Sequence, residues 1–261
     1  MWYTSVNFHS KGEIFLIGRS GNPTLREKTF ERPASYQSGS TMTLGGTVNK
    51  SFITLIILLA SAFATWMRYF EGYEVVQLAY IGGIVAFVVA LVVSFAPKTS
   101  PFLVPVYAVL EGMFLGAISA TYESLFDGIV MKAALLTACV FFALLLVYKF
   151  QIIKATENFK LGVFAATGGI ALVYLASMVL RWFNIEMPYL HEGNWIGIGI
   201  SVVIVIVAAL NLVLDFDFIE KGAESGAPKY MEWYGAFGLM VTLVWLYLEL
   251  LRLLAKINSR D

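Results

Sequence analysis

The sequence predicts an all-α integral membrane protein with seven transmembrane helices, and three observations lead there. Apolar residues make up 59% of the 261-residue chain and charged residues only 14%, with a mean hydropathy of +0.75. Soluble domains average about 45–50% and about 25%. The apolar residues also gather in seven continuous runs, each close to the roughly 20 residues that cross a hydrocarbon core about 30 Å thick. Those runs do not alternate with a period of two, which argues against an outer-membrane barrel.

Residues 1–47 are mostly polar and are expected to form a flexible cytoplasmic tail. Their short run Ile14–Gly18 is too brief for a signal-peptide core, so the first span is expected to act as the targeting segment. The membrane domain is expected over residues 48–256. Its spans, in order, are Phe52–Phe70, Leu78–Ala96, Phe102–Tyr122, Gly128–Phe150, Phe159–Leu180, Trp195–Leu214 and Tyr234–Ala255. Two connections carry turn chemistry: Pro97-Lys98-Thr99-Ser100-Pro101, and Lys221–Pro228 (KGAESGAP). The links are too short to hold a second soluble domain, and residues 257–261 form a short polar tail. Small residues recur at helix-packing spacing in Gly112/Gly116, Ala165/Gly169 and Gly197/Ser201. Trp182, Trp195 and Trp233 sit at segment ends, as an interfacial belt would.

Orientation follows from the basic residues. The N-terminal segment through Lys50, then Lys98, the Lys149/Lys154/Lys160 loop and Lys221/Lys229, fall on one side of the membrane. The other side has half as many: Arg68, Lys132, Arg181, Arg252, Lys256 and Arg260. The N-terminus is therefore expected in the cytoplasm. A re-entrant seventh segment would bring the C-terminal tail back to the same side, and that segment is unusual: its apolar stretch Trp233–Leu248 stops at Glu249. A central helix shielded from lipid by the other six tolerates such a short stretch.

Zero net charge offers nothing for nucleic acid, and Cys139 alone permits neither a disulfide framework nor a cysteine zinc site. No HExxH, GxSxG or glycine-rich phosphate loop occurs, so an enzyme is not expected.

Four carboxylates lie within or at the edge of apolar runs: Glu111, Asp215, Asp217 and Glu249. An ionised carboxylate near the centre of a membrane helix costs roughly 2.5–3.5 kcal/mol or more, so these residues point to a partner, a water-filled cavity or a cation path. Asn211 and Asp215 are four apart and share a helix face, whereas Asp217 points roughly 200° away from Asp215. Asp215, Asp217 and Glu220 either mark the helix end in the headgroup region or, for Asp215, extend a polar strip inward. Thr242, Trp245 and Glu249 share one face of the seventh helix, and Arg252 stands one turn beyond Glu249, suited to an ordinary helical ion pair. Glu111 has apolar neighbours on both sides, with Tyr107 the nearby polar group on its face. Two such acids brought within about 4 Å cannot both ionise cheaply, so they would share a proton and, once deprotonated, offer hard oxygens suited to calcium. Transition metals fit less well, since His9 and His191 lie outside the spans.

The segments GTVNKS (46–51), YAVLEG (107–112), LNLVLDFDFIEKG (210–222) and APKYMEWYGAFGLMVTLVWLYLELLRLLAK (227–256) resemble the Bax inhibitor-1 family, in particular its bacterial YccA-like branch. The likeness runs from about Asn22 to Lys256, while Met1–Ile17 matches nothing in it. It implies a seven-helix fold with the last helix central and surrounded by the other six, in the inner membrane. It also implies a pH-sensitive calcium leak gated by a shared-proton acid pair. That pair falls on Asp215, which here follows leucine instead of tyrosine, and on Glu249, where the family has aspartate. Glu111 matches the acid of the family's Glu-Gly segment, and Arg252 stands in for the arginine that better-known members bring near the pair. Glu111, Asn211, Asp217 and Arg252 are then expected to line the path or support the gate. Calcium is expected as permeant ion, held at Asp215 and Glu249, with no other cofactor.

The alternative is a non-transporting regulator that binds a membrane protease or another membrane protein, with Ser35–Asn49 as a disordered recognition segment. A proton-coupled transporter is a weaker third reading, because no internal repeat is evident.

Overall fold

The structure is a computed structural model that describes residues 40–183 and 194–259. It contains seven long helices: α1 (Leu44–Phe70), α2 (Val75–Phe95), α3 (Ser100–Leu125), α4 (Ile129–Lys149), α5 (Glu157–Trp182), α6 (Trp195–Glu224) and α7 (Met231–Asn258). All seven are long and apolar enough to cross a membrane, and no strand occurs among the described residues. The all-α, seven-span expectation therefore holds. Residues 1–39, and with them His9 and most of the expected tail, lie outside the described residues, as does His191.

The packed fold begins before residue 48. Thr43 caps α1 by accepting from Gly46 N at 3.0 Å, Met42 is 2% exposed, and Met42 N donates to Ala227 O at 2.7 Å. Thr41 forms an isolated antiparallel bridge with Pro228. The described end of the expected recognition segment is thus a strap followed by helix. Its local sequence looked like linker, but a partner far along the chain supplies its backbone hydrogen bonds.

α3 runs parallel to α7, with Tyr107 against Phe237 (ring centroids 5.1 Å apart) and Ser119 Oγ 2.7 Å from the Tyr247 hydroxyl. α6 runs antiparallel to it, with Phe218 beside Tyr234 at 6.1 Å and Lys256 Nζ donating to Ser201 Oγ at 2.8 Å. The lower end of the bundle is the one where α1, α3, α5 and α7 begin, and the upper end is where they finish. α7 crosses the whole bundle as one helix and ends opposite the start of α1, so it is not re-entrant.

α7 is the most buried of the seven. α1, α3, α4 and α6 pack directly on it, while α2 packs on α3 and α5 on α6. The two glycines of α3 allow the closest approach. A Cβ on Gly112 would stand 2.4 Å from Leu58 O, and one on Gly116 would stand 2.2 Å from Ala62 O. Ser61 Oγ adds a hydrogen bond to Val109 O at 2.7 Å. Gly169 differs: nothing lies within 4 Å of where its Cβ would be, so the Ala165/Gly169 spacing marks no close helix contact. With 30 residues α6 is about 45 Å long, which carries its last turns beyond a hydrocarbon core of about 30 Å.

Candidate functional site

The buried polar side chains fall into three groups along the bundle. At the lower end, Glu232 in the first turn of α7 is fully buried. It pairs with Lys50 of α1 and, at 2.7 Å, with Lys229, and it accepts from both the backbone N and the hydroxyl of Thr43 at 2.9 Å. Gly46 makes room for the carboxylate, since a Cβ there would lie 2.1 Å from Glu232 Oε1. The same end holds Asp217, whose Oδ2 lies 3.0 Å from both Lys160 of α5 and Lys221, one turn further along α6. Lys160 also reaches Glu157 at 3.2 Å, and Glu220 accepts from the Tyr148 hydroxyl of α4. Asp217 is thus engaged in ion pairs that join α5 to α6.

Just above this group, about 3 Å further up α6 than Asp217, lies Asp215, and close to its level on α3 is Glu111. Asp215 is 0% exposed, one turn after Asn211, whose Nδ2 donates to Thr167 Oγ1 of α5 and to Val207 O, each at 2.8 Å. Asp215 therefore lies inside the bundle. Glu111 is half-buried on α3 and interacts with Tyr107 one turn below. Two contacts fix the register of α6 against α7: Ile219 meets Gly235, and Ser201 meets Lys256. They set Asp215 level with the stretch from Leu239 to Thr242. The α3 contacts of Tyr107 and Ser119 bring Glu111 close to the same height. Two acids thus flank α7 at one level, one on α3 and one on α6, with the buried Thr242 hydroxyl close to that level on α7.

The upper group centres on Glu249, which is 1% exposed. Its Oε1 accepts from Arg252 Nη1 at 2.7 Å, from Trp245 Nε1 at 3.1 Å and from the Tyr174 hydroxyl of α5 at 2.9 Å. The same hydroxyl reaches Oε2 at 3.0 Å, accepts from Arg252 Nη1 at 3.0 Å, and its ring lies 5.3 Å from the guanidinium. The helical spacing of Trp245, Glu249 and Arg252 foretold this cluster, apart from Tyr174.

The expected pair of Asp215 and Glu249 is not brought together. At 1.5 Å rise per residue, the α6–α7 register separates them by roughly 10–15 Å along the axis. The carboxylate of Glu249 is taken by donors from α5 and α7 instead. The calcium site expected on that pair is therefore not assembled, and no group of three or more potential metal ligands occurs among the described residues. Sequence reasoning also missed Glu232, Lys50, Lys160 and Tyr174. Lys50 lies in the segment GTVNKS and Glu232 in APKYMEWYG, and no local spacing links the two.

Comparison with known proteins gives one positive result. The sequence model of a family described as Bax inhibitor 1 like matches residues 22–259. A search of curated proteins finds no match. A search of solved structures finds none either.

Proposed function

The chain belongs to the Bax inhibitor 1-like family, and from that premise we propose that it is a pH-sensitive, passive calcium leak. In this reading it belongs to the YccA-like branch, sits in a bacterial inner membrane and keeps its N-terminus in the cytoplasm. The reading rests chiefly on one observation: Asp215 is fully buried inside the bundle, close to the level of Glu111 on α3. Protonated, such an acid is neutral and tolerable among apolar neighbours. Deprotonated, it carries a charge that calls for a cation or water. Loss of the proton and admission of calcium are therefore coupled, with no catalytic step and no resident cofactor.

The Glu249 cluster takes a different part from the shared-proton gate that the family resemblance suggested. It fastens α5 to α7 at the upper end, so its release would loosen the wall of the bundle without any proton exchanged with Asp215. Glu111 offers a second hard oxygen at the level of Asp215, as calcium prefers. Asn211, bonded to Thr167, orients the α6 segment that carries Asp215.

The test is calcium efflux from proteoliposomes, measured from mildly acidic to mildly alkaline buffer. The wild type should leak more as the pH rises. Asp215→Asn should flatten that dependence, and Glu249→Gln should change the size of the leak while leaving its pH midpoint in place. An Asp215→Asn protein titrating like the wild type would remove Asp215 from the mechanism. Folded protein with no leak above empty vesicles would favour the partner-binding regulator.

A further inference from the structure

The strap at the lower end is extended through Thr43, so its side chains alternate, and only Met42 turns inward. Thr41 and Thr43 are exposed on either side of it. A Cβ on Gly235 of α7 would stand 3.7 Å from the Met42 methyl carbon, 3.1 Å from Ile219 Cγ1 and 3.2 Å from Thr47 Cγ2. One side chain from the strap, one from α6 and one from α1 therefore converge on the same bare point of α7.

The seam above that point is polar on two sides. Asp215 stands one turn above Ile219 on the same face of α6, and Ser51 and Thr54 stand one and two turns above Thr47 on α1. All three are buried. Ser51 Oγ donates to Thr47 O and Thr54 Oγ1 to Lys50 O, each at 2.9 Å. Their protons are thus engaged on their own helix, and the hydroxyl lone pairs stay available as acceptors.

The strap is held by few bonds, and its release orphans no charge. Met42 N is tied to Ala227 O, Thr41 is bridged to Pro228, and Thr43 adds its two bonds to Glu232. When these open, Glu232 keeps both Lys50 and Lys229. A short edge segment with one buried side chain opens at far lower cost than the whole bundle. We infer that Met42 is a removable stopper: the strap closes the lower mouth of the seam between α1, α6 and α7, and its release gives water and small cations access to Asp215 from that end. The access step stands on this geometry alone, while its effect on flux rests on the calcium reading proposed above.

The test uses the full chain with the exposed Cys139 replaced by serine. Thr41 and Pro228 are antiparallel bridge partners, and such partners lie about 4.5–5.5 Å apart at Cα, within disulfide range. Thr41→Cys with Pro228→Cys therefore fastens the strap on oxidation. In that background Asp215→Cys reports access, through its rate of modification by a small water-soluble methanethiosulfonate, read by mass spectrometry of the α6 peptide. Reducing the bridge, then removing the reductant, should raise that rate about tenfold, as restored local opening would. Met42→Ala without the bridge should raise it about tenfold over the chain with Met42, because the side chain that fills the mouth is gone. The bridge leaves every core side chain in place, so it keeps the test open even if Met42→Ala fails to fold. Equal rates in the oxidised and reduced forms, or an unchanged rate in folded Met42→Ala, would overturn the stopper. Proteoliposomes of the bridged chain with Asp215 intact separate the two readings: oxidation should silence the calcium leak and reduction should restore it. Strap-controlled access with no leak in either form would sink the calcium reading and leave the stopper standing.

Discussion

The hydroxyl of Tyr174 stands 2.9 Å from one carboxylate oxygen of Glu249 and 3.0 Å from the other, so a single phenol straddles the buried acid and ties α5 to α7. α5 otherwise packs on α6, which makes this contact its direct hold on the central helix.

Tyr174→Phe should therefore cost about 1–3 kcal/mol, because it removes a donor to a buried charged acceptor. Tyr148→Phe is the matched control. Its carboxylate partner Glu220 is exposed, and water can replace the lost donor. Thermal unfolding in detergent compares the two. Equal shifts in midpoint would mean that burial of Glu249 adds nothing.

The lower end gives a second contrast on one carboxylate. Glu232 is fully buried, whereas its partners Lys50 and Lys229 are 18% and 46% exposed. Lys50→Met leaves the buried acid short of its better-shielded cation and should cost about 3–5 kcal/mol. Lys229→Met should cost about 0–1 kcal/mol, as exposed ion pairs do. Similar losses in chemical-denaturation midpoint for both would show that the Lys50 pair is hydrated in solution.

Glycine positions separate contact from coincidence. Gly116→Ala drives a methyl group to within 2.2 Å of the Ala62 carbonyl oxygen, and backbone cannot yield as a flexible side chain does. We expect a loss of about 1–3 kcal/mol and a looser α1–α3 pair, seen as faster hydrogen exchange along both helices. Gly169→Ala meets open space and should be neutral or stabilising by about 0.5–1 kcal/mol. A destabilised Gly169→Ala would restore the Ala165/Gly169 contact that the spacing suggested.

The spans were legible because run length and hydropathy are local properties, and the Trp245, Glu249 and Arg252 cluster was legible because helical spacing is local too. The α6–α7 register is different. Residues that face each other across an antiparallel pair lie about equally far from the turn. Asp215 is 12 residues before Ala227 and Glu249 is 22 after it. Counting from the turn at Gly226, which takes a left-handed φ of +68°, separates the two acids on chain distance alone. The family pattern had suggested the opposite. Lys50 and Glu232 could not be paired in this way. They are 182 residues apart and belong to helices whose contact emerges only once the bundle closes.

The most enclosed helix is also the last of the seven to be synthesised. When α6 leaves the ribosome, α1, α3 and α4 already exist without the surface they pack on. Thr47 and Ser119, which meet Gly235 and Tyr247 of α7 and are buried in the finished bundle, must wait for that helix. A chain cut short before Met231 therefore lacks its core, not merely one span, and Lys50 has no acid to meet. Domains generally assemble from the N-terminus during synthesis. Here that order is inverted, so synthesis of α7 becomes the checkpoint for assembly, and chains that lack it carry an exposed seam by which quality control can distinguish them.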